Sequence, residues 1–290
     1  MSRRGVVIRS TPATFAGLEK AARRQDAKGV FYERGPHAKA AQIARWLDEQ
    51  EEDDLMFGEF ASAQLLVATP SDCDDSDCDE HSVPELATDA DVEAALDRLV
   101  ADLPASFRSE VRTDAAALLR LSRTLCPGVP WLTLRLEILH RDACWRWHQD
   151  GNVGRTLVCY VGPGTLAADD AAVDWDAFAA ATGEADNEHV VSKCHAIPSN
   201  AILLMKGAAW PGIPGPGLTH KSPRGEEVVK RVLLKCDLTQ NRPMLAYEDD
   251  PLLAGGDDRS RSRSRSRSPQ RRLAGETWAR RGRGGITKYY

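Results

Sequence analysis

Between Trp131 and Leu238 the chain is a succession of short apolar runs cut by Gly- and Pro-rich turns, and this pattern restricts the fold more than any other feature. In Trp131–Leu139, Leu132, Leu134, Leu136 and Leu139 fall nearly all on one side, with Thr133, Arg135 and Glu137 on the other. A period of two is the mark of a strand with one buried face. Thr156–Val161, His189–Ser192, Ala201–Met205 and Val228–Leu238 read as further strands, with Gly162-Pro-Gly164 and the Pro211–Gly217 run as turns between them. Short strands at such spacing point to a barrel or jelly roll rather than to alternating βα units. The expected fold class is α+β, with a double-stranded β-helix (jelly-roll) core over residues 131–240 and N-terminal helices packed on it.

Residues 1–130 read as a helical and mixed segment. Helices are expected over 14–26 and 37–51, the second from Ala38, Ala41, Ile43, Ala44 and Leu47, with Gly29–Tyr32 as a short strand between them. Val92–Leu99 and Arg112–Leu125 are two more helices. Within residues 70–85 the run CDDSDCDE is too charged to pack and is expected to be a solvated loop. Val6–Ile8 suits a first strand, yet Arg3, Arg4 and Arg9 among Ser2, Ser10, Thr11 and Thr14, with no acid before Glu19, also suit an organellar transit peptide.

Seven scattered cysteines in 290 residues, without a secretory signal, imply reduced thiols inside a cell, in cytoplasm, nucleus or an organelle. The longest apolar runs are far short of the ~20 residues that span a bilayer, so no membrane partner is expected. The formal net charge of -5 hides a basic tail of about +8 from Asp257 onward on an acidic body. That tail, residues 250–290, carries an Arg/Ser repeat and an Arg/Gly run; it is expected to be disordered and is a candidate contact for RNA or a protein. The repeat resembles the RS domains of splicing factors.

The residues that carry chemistry begin with His148-Gln149-Asp150. Side chains two apart in an extended segment share a face, so imidazole and carboxylate converge. His220 follows before the last strand. Two histidines and one carboxylate with open positions form the facial set of non-haem iron proteins, although three ligands and an open position also suit zinc. The plainer account is a surface His–Asp pair and a turn-capping His220. Ferrous iron with one carboxylate leaves about one positive charge, which cannot neutralise a dianionic 2-oxoacid. Lys230 and Arg231 project to opposite faces of the last strand, so one points into the barrel. Arg231, able to grip a carboxylate bidentately, is the expected anchor for 2-oxoglutarate.

The stretch RLEILHRDACWRWHQDGNVGRTLVCYVGPGT, followed by MKGAAW, THKSP and KRVLLKCDL, resembles the largely bacterial family of unknown function DUF1826, over about residues 5–240. Its shared blocks fall here on Cys144, His148-x-Asp150, Arg155–Tyr160, Gly162–Thr165 and His220-Lys-Ser-Pro223. Lys221 stands where the family has arginine, and a tryptophan expected soon after Thr165 is absent unless Trp175 serves. More distantly the stretch is similar to prolyl-hydroxylase-like 2-oxoglutarate oxygenases, which implies fold and metal and leaves the substrate unknown.

On this reading Cys144, Trp147, Arg155 and Ser222 are candidate pocket residues, and Tyr160 is a candidate donor to the cosubstrate. Their plainer roles are a structural thiol for Cys144, core packing for Trp145 and Trp147, and a barrel residue with a satisfied hydroxyl for Tyr160. Cys73, Cys78 and His81 as a zinc site, and His189, Cys194 and His195 as a second site, are weaker candidates. The leading expectation is an iron(II), 2-oxoglutarate-dependent oxygenase; the rival is an iron- or zinc-handling protein on the same barrel. Arg231, which only the first needs, separates them.

Overall fold

A computed structural model describes residues 5–11, 14–49, 59–68, 86–139, 144–181, 186–213, 215–224 and 230–241. The acidic loop 70–85, the Cys73/Cys78/His81 cluster and the basic tail 250–290 lie outside the described residues. Contacts divide the chain into Met1–Pro243 and Met244–Tyr290, and every described residue belongs to the first unit.

The described residues form a mixed α+β fold. Seven strands make the larger sheet: β1 (Val6–Arg9), β2 (Ala27–Tyr32), β3 (Glu59–Leu66), β4 (Trp131–Leu139), β5 (Gly154–Val161), β8 (Ile202–Lys206) and β10 (Arg231–Thr239). Their order is β1-β2-β8-β5-β10-β4-β3, antiparallel except for β1 on β2. A smaller sheet runs β7-β6-β9, built from β6 (Leu166–Ala168), β7 (His195–Ala196) and β9 (Thr219–Lys221). Five helices appear among the described residues: α1 (Phe15–Ala22), α2 (Ala40–Asp48), α3 (Asp89–Leu99), α4 (Ala105–Leu125) and α5 (Trp175–Ala180). None is long and apolar enough to cross a membrane.

The alternation in β4 decides where the helices sit. Leu132, Leu134, Leu136 and Ile138 point to one face and join Val158, Tyr160, Leu204 and Leu234 in a core shared with Leu96, Phe107, Leu118 and Leu119 of α3 and α4. Ile138 rather than Leu139 completes the apolar face, because the period of two holds to the strand's end. The other face of the sheet looks toward the smaller sheet, where Phe31, Leu157, Leu203 and Met205 pack with Ala167, Ile197 and Leu218. A third cluster, Trp147, Ala168, Val173 and Val190, lies with Phe178 of α5.

Several boundaries differ from expectation. The helix expected from Arg112 begins at Ala105, just after Pro104, whose fixed φ suits a helix start. The strand expected over His189–Ser192 is instead a short 3-10 turn at Glu188–Val190, because Asp186 Oδ1 accepts from the Glu188 N–H and Asn187 is held against Trp147. Strands β3, β6, β7 and β9 were not expected. Their pairing to a neighbour, rather than local pattern, makes them strands.

Candidate metal centre

His148 and His220 face each other in an isolated antiparallel bridge, each backbone N–H donating to the other's carbonyl at 3.0 Å. Since β9 pairs with β6, the bridge carries His148 alongside the smaller sheet. The imidazole rings stand 4.4 Å apart, centroid to centroid. His148 Nδ1 lies 2.8 Å from the Arg146 carbonyl and His220 Nδ1 lies 3.0 Å from the Leu218 carbonyl. A carbonyl oxygen only accepts, so both Nδ1 atoms carry a proton, and in the neutral tautomer this fixes, the lone pair lies on Nε2.

Those lone pairs point toward Asp150. His148 Nε2 is 3.8 Å from Oδ1 and His220 Nε2 is 3.8 Å from Oδ2. The three ligand atoms all lie within 4.8 Å of one another, the one such group of His, Cys, Asp or Glu side chains among the described residues. Two donors each about 2.1 Å from a common ion lie at most about 4.2 Å apart, so a small rotamer adjustment closes the set on a metal. Burial pushes the His220 ring down to about 4, against the pull of Asp150. Burial alone would raise the Asp150 carboxyl, but Arg155, His220 and His148 outweigh it and hold the group at about 2. At neutral pH His220 is therefore a neutral imidazole and Asp150 a carboxylate, the protonation states in which each can donate electrons to a metal.

Arg155 ties this centre to the sheet. Its Nη1 is 3.2 Å from Asp150 Oδ2 and its Nε donates to Asp237 on β10. Asp237 also faces Arg135 of β4 at 3.6 Å, and next to them Lys235 Nζ lies 2.5 Å from Glu137 Oε1. Asp237, Lys235, Arg135 and Glu137 were missed as candidates, although the signal was present: charges recur every second residue in both β4 and β10.

Arg231 is buried, at 3 % exposed, with Nη1 donating to Ser222 Oγ at 2.8 Å. Among the described residues its Nε and Nη2 are buried without a nitrogen or oxygen partner, and the guanidinium lies against the Cys159 thiol, whose charged form it favours. Ser222 follows His220 by two, on the same side of the chain, and so links the guanidinium to the histidine pair. Gly162 makes room for it: at φ +82° a Cβ there would meet Arg231 Cγ at 2.7 Å and the Lys230 carbonyl at 2.5 Å. Lys230 turns the other way, toward Asp48.

The remaining candidates separate. Tyr160 is fully turned to the helix side, where its hydroxyl donates to Asp114 Oδ2 at 2.9 Å and its ring packs edge-on against His37. It has the opposite parity to Arg155 and Cys159 on β5 and cannot reach the metal centre. Trp147 packs outside the smaller sheet under Lys221, whose ammonium is 5.1 Å from the ring centroid and pairs with Glu188. Trp145 stacks with Arg224. Cys144 is exposed, adopts φ 55°, and its carbonyl accepts from Ser222 N–H; its thiol lies within electrostatic reach of Arg155, Lys235, Asp150 and Glu137. His195 pairs with Asp169 at 3.1 Å.

A family model described as "Protein of unknown function (DUF1826)" matches residues 20–237. No curated protein matches the chain. Among solved structures the chain is similar to the dioxygenase for auxin oxidation of rice, at 17% identity and TM-score 0.43, covering 81% of this chain and 83% of that one. It is similar to the Arabidopsis thaliana dioxygenase for auxin oxidation in complex with 2-oxoglutarate, at 14% identity and TM-score 0.42, over 83% and 93% of the two chains. A 2OG-Fe(II) oxygenase family oxidoreductase of Burkholderia pseudomallei is matched at 11% identity and TM-score 0.34, over 82% and 95%.

Proposed function

The chain belongs to the DUF1826 family, and we propose that this member is a non-haem iron(II), 2-oxoglutarate-dependent oxygenase built on a double-stranded β-helix. Taken in chain order, β4, β5, β8 and β10 lie in the larger sheet, while the His148 bridge falls between β4 and β5, the pair β6 and β7 between β5 and β8, and β9 between β8 and β10, an order that supports such a helix. His148, Asp150 and His220 would hold the iron, leaving half its coordination positions for other ligands.

The observation that carries the reading beyond a metal-binding protein is the buried Arg231, two of whose nitrogens have no hydrogen-bond partner among the described residues. A buried cation that meets only Ser222 and the Cys159 thiol, with no acidic partner among the described residues, is costly, which favours a pocket that takes an anionic ligand. Nε and Nη2 of one guanidinium form a fork that matches a carboxylate. The 2-oxoacid suits the charge as well, since iron and Asp150 together leave about one positive charge and Arg231 supplies the second.

Iron and 2-oxoglutarate, when bound, supply the activation of dioxygen for oxidation of a substrate. The chain's own residues set the conditions. The Arg146 and Leu218 carbonyls fix both imidazole tautomers, Arg155 keeps Asp150 ionised, and Ser222 and Gly162 hold the Arg231 guanidinium in place. Leu157, Leu203 and Met205 make the adjoining half of the interior apolar.

Anaerobic addition of iron(II) and then 2-oxoglutarate tests the reading. A visible metal-to-ligand charge-transfer band is expected in the wild-type protein and not in His220→Ala. Iron binding without the band at saturating 2-oxoacid would sink the oxygenase reading.

A further inference from the structure

The face of the larger sheet that looks toward the metal centre is divided in two. On one half Phe31, Leu157, Leu203 and Met205 are sealed by the smaller sheet. On the other half, spanning β5, β10 and β4, the same face carries Arg155, Asp237, Lys235, Arg135, Glu137 and Thr133. Arg155 joins this group to Asp150 directly. Cys144, beside the ligands, is within electrostatic reach of Arg155, Lys235 and Glu137.

Two features of this polar half point to a ligand. Thr133 is fully buried and its Oγ1 has no hydrogen-bond partner among the described residues. Lys235 and Glu137 pair at 2.5 Å with 12 % and 15 % of their side chains exposed, so neither is fully sealed from solvent. Ion pairs of this kind contribute little to stability relative to apolar residues of the same volume. The apolar half of the same face shows what the sheet uses when packing is the only task.

We propose that this polar half is the substrate site and that the substrate is a small zwitterion, carrying an ammonium and a carboxylate group as a free amino acid does. The carboxylate would take Lys235, with Arg135 near it, and the ammonium would take Glu137. The choice follows from pairing. An anion alone that claimed Lys235 would strand Glu137, and a cation alone that claimed Glu137 would strand Lys235. An apolar solute would strip water from both. A zwitterion inserted between them replaces each lost partner with one of the same sign. The inference rests on the proposed metal centre for its position next to the reacting site, and on the charge pattern for its chemistry.

Paramagnetic relaxation tests both parts separately. The protein is loaded with Mn(II), uptake is followed by loss of the free-ion electron paramagnetic resonance signal, and the proton relaxation of the twenty free L-amino acids is measured, with butyrate, propylamine and glucose as controls. At least one amino acid is expected to relax strongly, with the three controls at least tenfold weaker. The double variant Lys235→Met with Glu137→Leu is expected to take up Mn(II) and melt as the wild type does, and to lose the effect at least tenfold. If that variant fails to fold, Glu137→Gln, which keeps the volume, is expected to weaken amino-acid binding and leave Mn(II) uptake unchanged. Mn(II) uptake with no amino acid relaxed, butyrate or glucose relaxed as strongly as any amino acid, or full binding by the charge variants would each overturn the proposal. If Mn(II) is not taken up, the metal centre fails instead, and saturation transfer from protein to the same probes decides the zwitterion site alone.

Discussion

His148 and His220 hold each other by both backbone hydrogen bonds of a single antiparallel bridge, at 3.0 Å each, while each ring is locked by a carbonyl two residues before it in its own chain segment. The pair is therefore positioned by backbone rather than by packing of mobile side chains. Asp150 then needs only the period of two to join them.

Metal binding should stabilise the fold. A metal at a hundredfold excess over its dissociation constant adds about 2.7 kcal/mol when it binds only the native state. Melting curves with Mn(II) or iron(II), against a chelator control, are expected to show the gain in the wild type and no gain in His148→Ala or His220→Ala. A gain that survives in both variants would place the ion elsewhere.

Arg231→Ala should spare the metal and remove the anion anchor. Leaving a carboxylate desolvated and unpaired costs about 2–5 kcal/mol, a weakening of 2-oxoglutarate binding by roughly thirty to several thousandfold. Lys230→Ala should change it little, since Lys230 faces Asp48. Titration of the charge-transfer band in the two variants checks this, and the reverse order of effects would rule Arg231 out as the anchor.

Tyr160 should matter to stability and not to the cosubstrate. Tyr160→Phe removes the 2.9 Å donor to Asp114, which keeps its two contacts with Arg34. The expected cost is about 1–3 kcal/mol in chemical denaturation, with 2-oxoglutarate affinity unchanged. An affinity loss without a stability loss would contradict the orientation of β5.

Lys206 gives the fold a specific pH dependence. It is buried, donates to the Arg24 carbonyl at 2.9 Å, and burial lowers its ammonium to about 8. Between that value and the ordinary lysine value the unfolded chain holds a proton that the folded chain has released, so stability rises with pH across this window. Below it the full penalty of the buried charge is present, on the order of 3 kcal/mol. Lys206→Met is expected to flatten this rise and to stabilise the protein at pH 7 by about 1–2 kcal/mol, the remainder being lost with the bond to Arg24. Denaturation midpoints of the two proteins at pH 7 and pH 10 check the sign; a variant less stable at pH 7 would refute it.

The sequence by itself determined what is local. The period of two in Trp131–Leu139 fixed an apolar and a polar face for β4; the spacing of His148 and Asp150 put imidazole and carboxylate on one side; and adjacency set Lys230 and Arg231 on opposite sides. Parity also placed Tyr160 opposite Arg155, a relation that was legible and that removes Tyr160 from the centre. Local pattern does not say which face of a strand is covered by helices and which looks inward. That choice belonged to α3 and α4, which sealed the leucine side of β4 and thereby turned Arg135, Glu137, Arg155, Arg231, Lys235 and Asp237 toward the smaller sheet. Nor does pattern pair segments remote in the chain. His220 meets His148, and Arg155 meets both Asp150 and Asp237, only because β9 lies beside the His148 segment and β10 lies between β4 and β5. Strand pairing is a non-local contact whose register depends on the whole sheet, and that is why the residue types were visible in the sequence while the charge network joining them was decided by the tertiary structure.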